Sequence, residues 1–248
     1  MIDVLCPLPP EARRTARAEY RQFLSERDGV LNLQDRTLSL REVGMARYER
    51  PLSRLRDIDH GLIYEQHASF NAKREMSLEA GLLLALLKAN AAEAYGVSQT
   101  FDTVYKRAVD AGDDVELLLL VEETYHTRIL MSAASLYGLS ITSPFRPAWL
   151  LRALIGGIGR GPLVLSRPLV LAGEIVGAVT FLNLLYAARD ILKHDPELRD
   201  AVEERIIEVL VDEIGHISFN RLVLGPAGMQ HTRLLLPLVA EALAVAMP

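Results

Sequence analysis

Two ten-residue stretches, VEETYHTRIL at 121–130 and VDEIGHISFN at 211–220, carry the same pattern: a glutamate and, three residues later, a histidine, within an apolar surround. In a helix, residues three apart project from one face, so Glu123 with His126 and Glu213 with His216 each set a carboxylate beside an imidazole. Such a pair offers one oxygen and one nitrogen to a divalent transition metal ion. Ionisable groups among apolar neighbours are costly unless paired or coordinated. The plainer reading of either copy is a satisfied core histidine or an ion pair on a helix face. With six histidines in the chain one match is weak evidence, and the weight lies in the repetition.

The rest of the chain reads as helix after helix. Pro9 and Pro10 open a first helix through about Glu26, and RDGVLNLQD reads as a turn. A second helical stretch begins near Leu40, is interrupted at Pro51 and resumes from Leu52 to about Arg74. Ser77 caps LEAGLLLALLKANAAEAYG, Asp102–Ala111 adds a short amphipathic piece, and AGDD is a break. VELLLLVEETYHTRILMSAASLYG is then a helix ending at Gly138. TSPFRPAW and the glycine-rich IGGIGRGP read as a connection with a short helix between them. A helix around Glu174 follows, HDPELRD turns the chain, and Ala201 to about Arg221 carries the second motif. TRLLLPLVAEALAVAM closes the sequence as a helix bent or started at Pro237. No alternating run long enough for a strand occurs, so the expectation is an all-α bundle in a single domain, 1–248.

Two motifs supply two imidazoles and two carboxylates, which is incomplete for a pair of ions. The missing ligands are expected as single carboxylates on helices that precede each motif and run antiparallel to it. Glu93 lies 30 residues before Glu123, with the midpoint near the AGDD break, and Glu174 lies 39 residues before Glu213, with the midpoint against HDP. Glu174 is the sole acid between Arg167 and Arg189. Glu93 has a rival in Glu79, which stands too far from Glu123 for one hairpin centred on the break.

Composition narrows the partners. A net charge of −5 argues against nucleic acid, which needs clustered, unmatched Lys and Arg. The one basic run, ARRTARAEYRQ at 12–22, reads as a solvated helix face. Cys6 alone rules out an internal disulfide and points to a reducing compartment. The amino terminus lacks a signal-peptide pattern, so the expected location is the cytoplasm. Residues 168–188 are apolar for about the length of a membrane span, but Glu174 within them favours a buried core helix. An apolar terminal helix makes a homodimer plausible.

The order Glu93, Glu123-x-x-His126, Glu174, Glu213-x-x-His216 resembles the ligand order of the ferritin-like di-iron carboxylate proteins. These include the ribonucleotide reductase small subunit, bacterial multicomponent monooxygenases, rubrerythrins and arylamine N-oxygenases. The resemblance covers about residues 76–221 and implies a four-helix bundle core flanked by added N- and C-terminal helices. It also implies two bridged metal ions, usually iron, that react with O2. Mn/Fe or Mn/Mn pairs suit the same oxygen and nitrogen ligands. Members often carry an acid just before each motif glutamate, bonded to the other motif's histidine, and Glu122 and Asp212 occupy those places. A ligating imidazole needs its second nitrogen held by an acceptor, which is the reason such acids recur. The first motif is similar to that of the p-aminobenzoate N-oxygenase type, but Val209 stands where that type has a third histidine. His60 and His67 are the candidates to replace it. Tyr125 and Gly215 replace the arginine that many monooxygenases have before the histidine, and Tyr125 reads equally as an outer donor or a packing residue.

What the resemblance implies is an O2-dependent oxygenase or oxidase acting on a small organic substrate, an amine N-oxygenase or hydroxylase among the options, fed by an external electron donor. Gly173 and Gly177 beside Glu174 leave room for a substrate or for close helix packing. The alternatives are a peroxide-reducing or manganese-catalase-like dimetal protein, and a non-catalytic helical interaction protein.

Overall fold

The computed structural model describes residues 5–28, 48, 52, 56–111, 114–139, 149–160 and 163–245. Among these, eight helices follow one another and no strand occurs: α1 (Pro10–Asp28), α2 (His60–Ala68), α3 (Leu78–Ala111), α4 (Asp114–Ser135), α5 (Trp149–Arg160), α6 (Leu163–Ile191), α7 (Pro196–Val223) and α8 (Pro226–Ala244). The all-α expectation is met.

Their ends follow from local chemistry. Ser77 Oγ accepts the amide of Ala80 at 3.1 Å and opens α3. At the end of α4, Gly138 takes a φ of 67°, and the Leu139 amide returns to the carbonyl of Ala134 at 3.0 Å, closing the helix as only a residue free of Cβ does cheaply. The HDP turn works as read: Asp195 caps α7 by accepting from Leu198, with Pro196 in the first turn.

Helices α3 and α4 pack against each other across a short break, as do α6 and α7 across the Asp195 turn. The largest core lies among these four. Leu83, Leu84 and Leu87 of α3 meet Ile129 and Leu130 of α4, Phe181 and Leu185 of α6, and Val202, Ile206 and Val209 of α7. Helix α8 covers α6 through Val239 against Leu169 and Ala172, α5 packs through Leu151 and Ile155 against Ala242, and α1 lies along α7.

Several boundaries differ from the sequence reading. Residues 78–111 form one helix, because Gly96 is tolerated inside it with Thr100 Oγ1 donating back to its carbonyl at 2.8 Å. The glycines of IGGIGR sit inside α5, not in a connection. Helix α2 spans only His60–Ala68; Asp59 caps its start and Gln66 Oε1 accepts the Asn71 amide at 2.8 Å, which turns the chain well before Arg74. The last helix begins at Pro226 and carries Pro237 inside it. Apart from Tyr48, the helix predicted from Leu40 to Pro51 lies outside the described residues, as does most of RDGVLNLQD.

Helix α6 has a stretch, Val164–Ile191, long and apolar enough to cross a membrane by length and composition. Its Glu174 faces the other helices of the core, as described next.

Candidate metal centre

The acids and histidines singled out from the two motifs meet between α3, α4, α6 and α7. Ligand atoms of Glu93, Glu123 and His126 lie within 4.8 Å of one another, and so do those of Glu123, Glu174, Glu213 and His216. Glu123 belongs to both groups. The imidazole planes lie 26° apart with centroids separated by 5.5 Å. The Nδ1 atoms face inward: His216 Nδ1 is 2.9 Å from Glu123 Oε1 and 3.5 Å from Glu174 Oε2, and His126 Nδ1 is 3.4 Å from Glu213 Oε1. Both histidines are buried, their Nδ1 atoms meet the carboxylates of the cluster, and Glu93 Oε2 is buried without a hydrogen-bond partner.

The outward nitrogens are held by the acids that precede the motif glutamates, and they are held crosswise. His216 Nε2 is 3.0 Å from Glu122 Oε2 and His126 Nε2 is 3.3 Å from Asp212 Oδ2. Each motif therefore orients the other's ring, and a neutral ring that gives its Nε2–H to the acid presents the Nδ1 lone pair to the interior. Tyr20 of α1, 3 % exposed, donates to Glu122 Oε2 at 2.8 Å. Its ring stacks at 5.9 Å on Phe23 and lies 5.1 Å from Phe219 of α7. Gly215 belongs to this packing, since a Cβ there would come within 2.5 Å of Phe23. The segment 12–22 read as a solvated face thus delivers a buried tyrosine to the centre. The apolar Ala16 and Tyr20, four apart, were the available signal for a buried stripe.

The charges respond to one another. Burial pushes the Glu93 carboxyl up to about 8; the histidines oppose the rise, while Glu123 and Glu174 add to it. Burial and the nearby Glu174 charge also raise Glu213 well above the usual carboxylate range. Burial works against charged rings at His126 and His216, yet Asp212 and Glu213 around the first, and Tyr20, Glu122 and Glu123 around the second, hold both well above the ordinary imidazole value. Burial resists ionisation of Glu174 too, but His216 outweighs it and keeps that carboxyl low. Glu93, Glu213 and both histidines are thus shifted towards holding protons, the response of crowded carboxylates to their own negative charge. Two divalent cations would supply the same positive charge.

Other residues fall elsewhere. Glu79 pairs with Arg56 at 3.2 Å, which leaves Glu93 as the α3 carboxylate of the cluster. His60 Nε2 meets the Tyr137 carbonyl at 2.9 Å, and buried His67 packs by Lys88; neither joins the ligand groups. Val209 is core, with no exposure. Tyr125 packs in the core with the Arg128 guanidinium 5.7 Å from its ring centroid. Gly173 and Gly177 leave room: a Cβ at 173 would meet nothing within 4 Å, and one at 177 would first meet Glu213 Oε2 at 3.9 Å. Both line a cavity of about 290 Å³ that also touches Glu93, Glu123, Glu174 and Glu213.

The residues present fit a metal pair. Both Nδ1 atoms and the unpartnered Glu93 Oε2 converge with the other carboxylates, the donor set is carboxylate and imidazole, and Glu123 is placed to serve both positions. These buried Glu and His groups have the spacing to bind a metal ion. No family model, curated protein or solved structure matches this chain.

Proposed function

We propose that the protein is a ferritin-like dimetal oxidoreductase, with iron as the resident metal, that uses O2 to oxidise a small organic molecule held in the cavity beside the centre. The observation that carries this reading is the division of labour on each imidazole. Nε2 is tied to an acid of the other motif, and Nδ1 points inward at the carboxylates of the cluster. Two histidines serving only as ion pairs need two carboxylates, whereas these rings face Glu93, Glu123, Glu174 and Glu213 as well as Glu122 and Asp212, an excess of acid that cations would balance.

Glu93, Glu123 and His126 would hold one ion, and Glu174, Glu213 and His216 the other, with Glu123 shared. When bound, a reduced iron pair supplies electrons and a binding place for O2. The chain's own contribution is arrangement. Glu122 and Asp212 keep both rings in the tautomer that exposes Nδ1, and Tyr20 keeps Glu122 in place. Carboxylates and imidazoles bind metal in their deprotonated forms, so protons compete with metal here and uptake strengthens with rising pH. Val97, Leu119, Leu120, Val176 and Phe181 give the cavity apolar walls beside the face where a substrate would lie. The reading asks for an external electron donor as well as O2. It leaves hydroxylation or N-oxygenation to the identity of the occupant.

The test is elemental analysis after anaerobic loading with Fe(II), followed by the optical spectrum on exposure to O2. The expected outcome is about two ions per chain, a visible transient with O2, and loss of both in the Glu123→Ala, Glu213→Ala double variant. Metal no higher in the wild type than in that variant would end the enzyme reading and leave a helical interaction protein.

A further inference from the structure

The carboxylates of the centre stand on four helices, and the residue three positions after each follows a pattern of its own. On α4 and α7 it is a histidine. On α3 and α6 it is a glycine, in EAYG at 93–96 and EIVG at 174–177. That position shares the face of its glutamate, so two helices place an imidazole there and the other two place no side chain. Gly96 and Gly177 line the cavity beside the centre, and Gly173, immediately before Glu174, lines it too.

Inside a helix, glycine serves close approach of a neighbour or empty space, and an added Cβ tells the two apart. At Gly215 it would come within 2.5 Å of Phe23 Cε1, the mark of close approach. At Gly96 and Gly173 it would meet nothing within 4 Å among the described residues. Neither has a positive φ that would call for glycine. After proline, glycine is the weakest helix former, so each weakens its helix, and what it leaves is the open volume above it. The neighbouring wall suits that use. Thr100 and Thr180 each donate to a carbonyl of their own helix, Gly96 and Val176, at 2.8 Å, which turns both hydroxyls back on the backbone. One end of the cavity is closed by Glu116 of α4, which accepts from Arg107 of α3 at 3.1 Å and pairs with Arg167 of α6. Along α3, Gly96 falls between Glu93 and Arg107, and along α6, Gly173 falls between Arg167 and Glu174. Both glycines therefore open the section between that ion cluster and the centre.

We propose that Gly96 and Gly173 are specificity-determining positions, which keep this section wide enough for a largely apolar molecule of two fused rings. The proposal rests on the oxidoreductase reading for calling that molecule a substrate; the fit itself needs no metal. Size decides the class. An apolar cavity of about 150 Å³ holds benzene, and this one, at about 290 Å³, has about twice that room. A leucine at either glycine would enter the space without its Cβ striking a described atom, and would leave room for a single ring.

The test is calorimetric titration of chelator-treated protein with benzene and naphthalene. The wild type is expected to bind naphthalene at least tenfold more tightly than benzene. Gly96→Leu and Gly173→Leu are each expected to weaken naphthalene tenfold or more, with benzene changed less than threefold, since overfilling penalises the larger probe. Gly156→Leu is the control: a Cβ there also meets nothing within 4 Å, but Gly156 lies on α5 and does not line the cavity, so both affinities should hold. Gly96→Ala and Gly173→Ala cover the case in which a leucine variant does not fold. Their thermal midpoints should rise, because alanine favours the helix and strikes nothing, and naphthalene should weaken at least twofold with benzene unmoved. Naphthalene binding unmoved by both leucines, equal losses of the two probes, falling midpoints in the alanine variants, or no binding of either probe by the wild type would each overturn the proposal. Metal analysis of the same proteins separates the two ideas. Metal uptake with a flat binding series keeps the metal reading and removes this one, whereas a graded series without metal keeps the size rule and removes the oxidoreductase.

Discussion

Helices α4 and α7 meet at two buried polar places, about two turns apart, and the two are built on opposite rules. At one, Arg205 of α7, 3 % exposed, spends its donors on the chain itself: Nε on Ser132 Oγ at 2.7 Å, and the two terminal nitrogens on the carbonyls of Ala201 and Tyr48, each at 2.6 Å. Its guanidinium also lies 5.4 Å from the Tyr48 ring centroid. Burial pulls its pKa down to about 10, which still leaves it charged at neutral pH. At the other, Glu213 and His216 of α7 face Glu123 and His126 of α4, and donor atoms are left aimed at one another. The first arrangement is closed and holds helices together. The second is open and holds them together at a cost, which is how binding sites differ from structural polar clusters.

Truncation separates the two most strongly at the closed site. Arg205→Ala is expected to destabilise the fold by about 3 kcal/mol, because it removes the buried guanidinium that ties α7 to Ser132 of α4 and to the Tyr48 carbonyl, and leaves a void in its place. Urea unfolding measures the loss, and metal stoichiometry in the variant should match the wild type.

The open site should respond with the opposite sign. The Glu93 carboxyl is raised in the folded state, so in metal-free protein its contribution is most favourable below pH 4.5 and is lost as the pH climbs towards about 8. Glu93→Gln removes that dependence. In chelator-treated protein the variant is expected to be more stable than the wild type by about 2 kcal/mol at pH 7.5, with the gap closing towards pH 4.5, as urea midpoints would report. A gap that widens on acidification would contradict the assignment.

Lys88 offers an intermediate case, buried with its Nζ 3.4 Å from the His67 carbonyl and 5.6 Å from the Phe70 ring centroid. Burial lowers it to about 8. A lysine depressed in the folded state carries a penalty below its folded value, and that penalty is relieved as pH rises from about 8 to the ordinary 10.5. Relative to Lys88→Met, the wild type should therefore gain about 1 kcal/mol over that interval, after allowance for solvent screening.

The smallest effect tests how far the open site extends. Tyr20→Phe deletes only the hydroxyl that steadies Glu122, and its stability should change by less than about 1 kcal/mol. Metal affinity, read by competition with a chromophoric chelator, is expected to fall roughly threefold to tenfold, the lower range for a group acting on a ligand through another residue. Unchanged affinity would confine Tyr20 to packing α1 on α7.

Much of the centre was legible because helical spacing is local. Glu123 with His126 and Glu213 with His216 need only the helix repeat to share a face, and Glu174 stood alone in an apolar run. Choosing Glu93 over Glu79 needed one further step, the length of a hairpin, and the ion pair from Arg56 to Glu79 shows where the rival went. The glycines were the poorest guides. Gly96, Gly156 and Gly157 lie inside helices, since tertiary packing outweighs the roughly 1 kcal/mol each costs relative to alanine.

The sequence by itself determined the helical class, the pairing of each carboxylate with an imidazole and the acids set beside them, because these depend on contacts within a turn or across one hairpin. The tertiary structure sets Glu122 against His216 and Asp212 against His126, the crosswise pairing the resemblance implies, and it alone decided that Tyr20 reaches in from α1 and that Arg107, Glu116 and Arg167 from three helices close one end of a cavity. Those contacts join residues from 9 to more than 100 positions apart, and their geometry is set by how helices pack against one another, which no local pattern records.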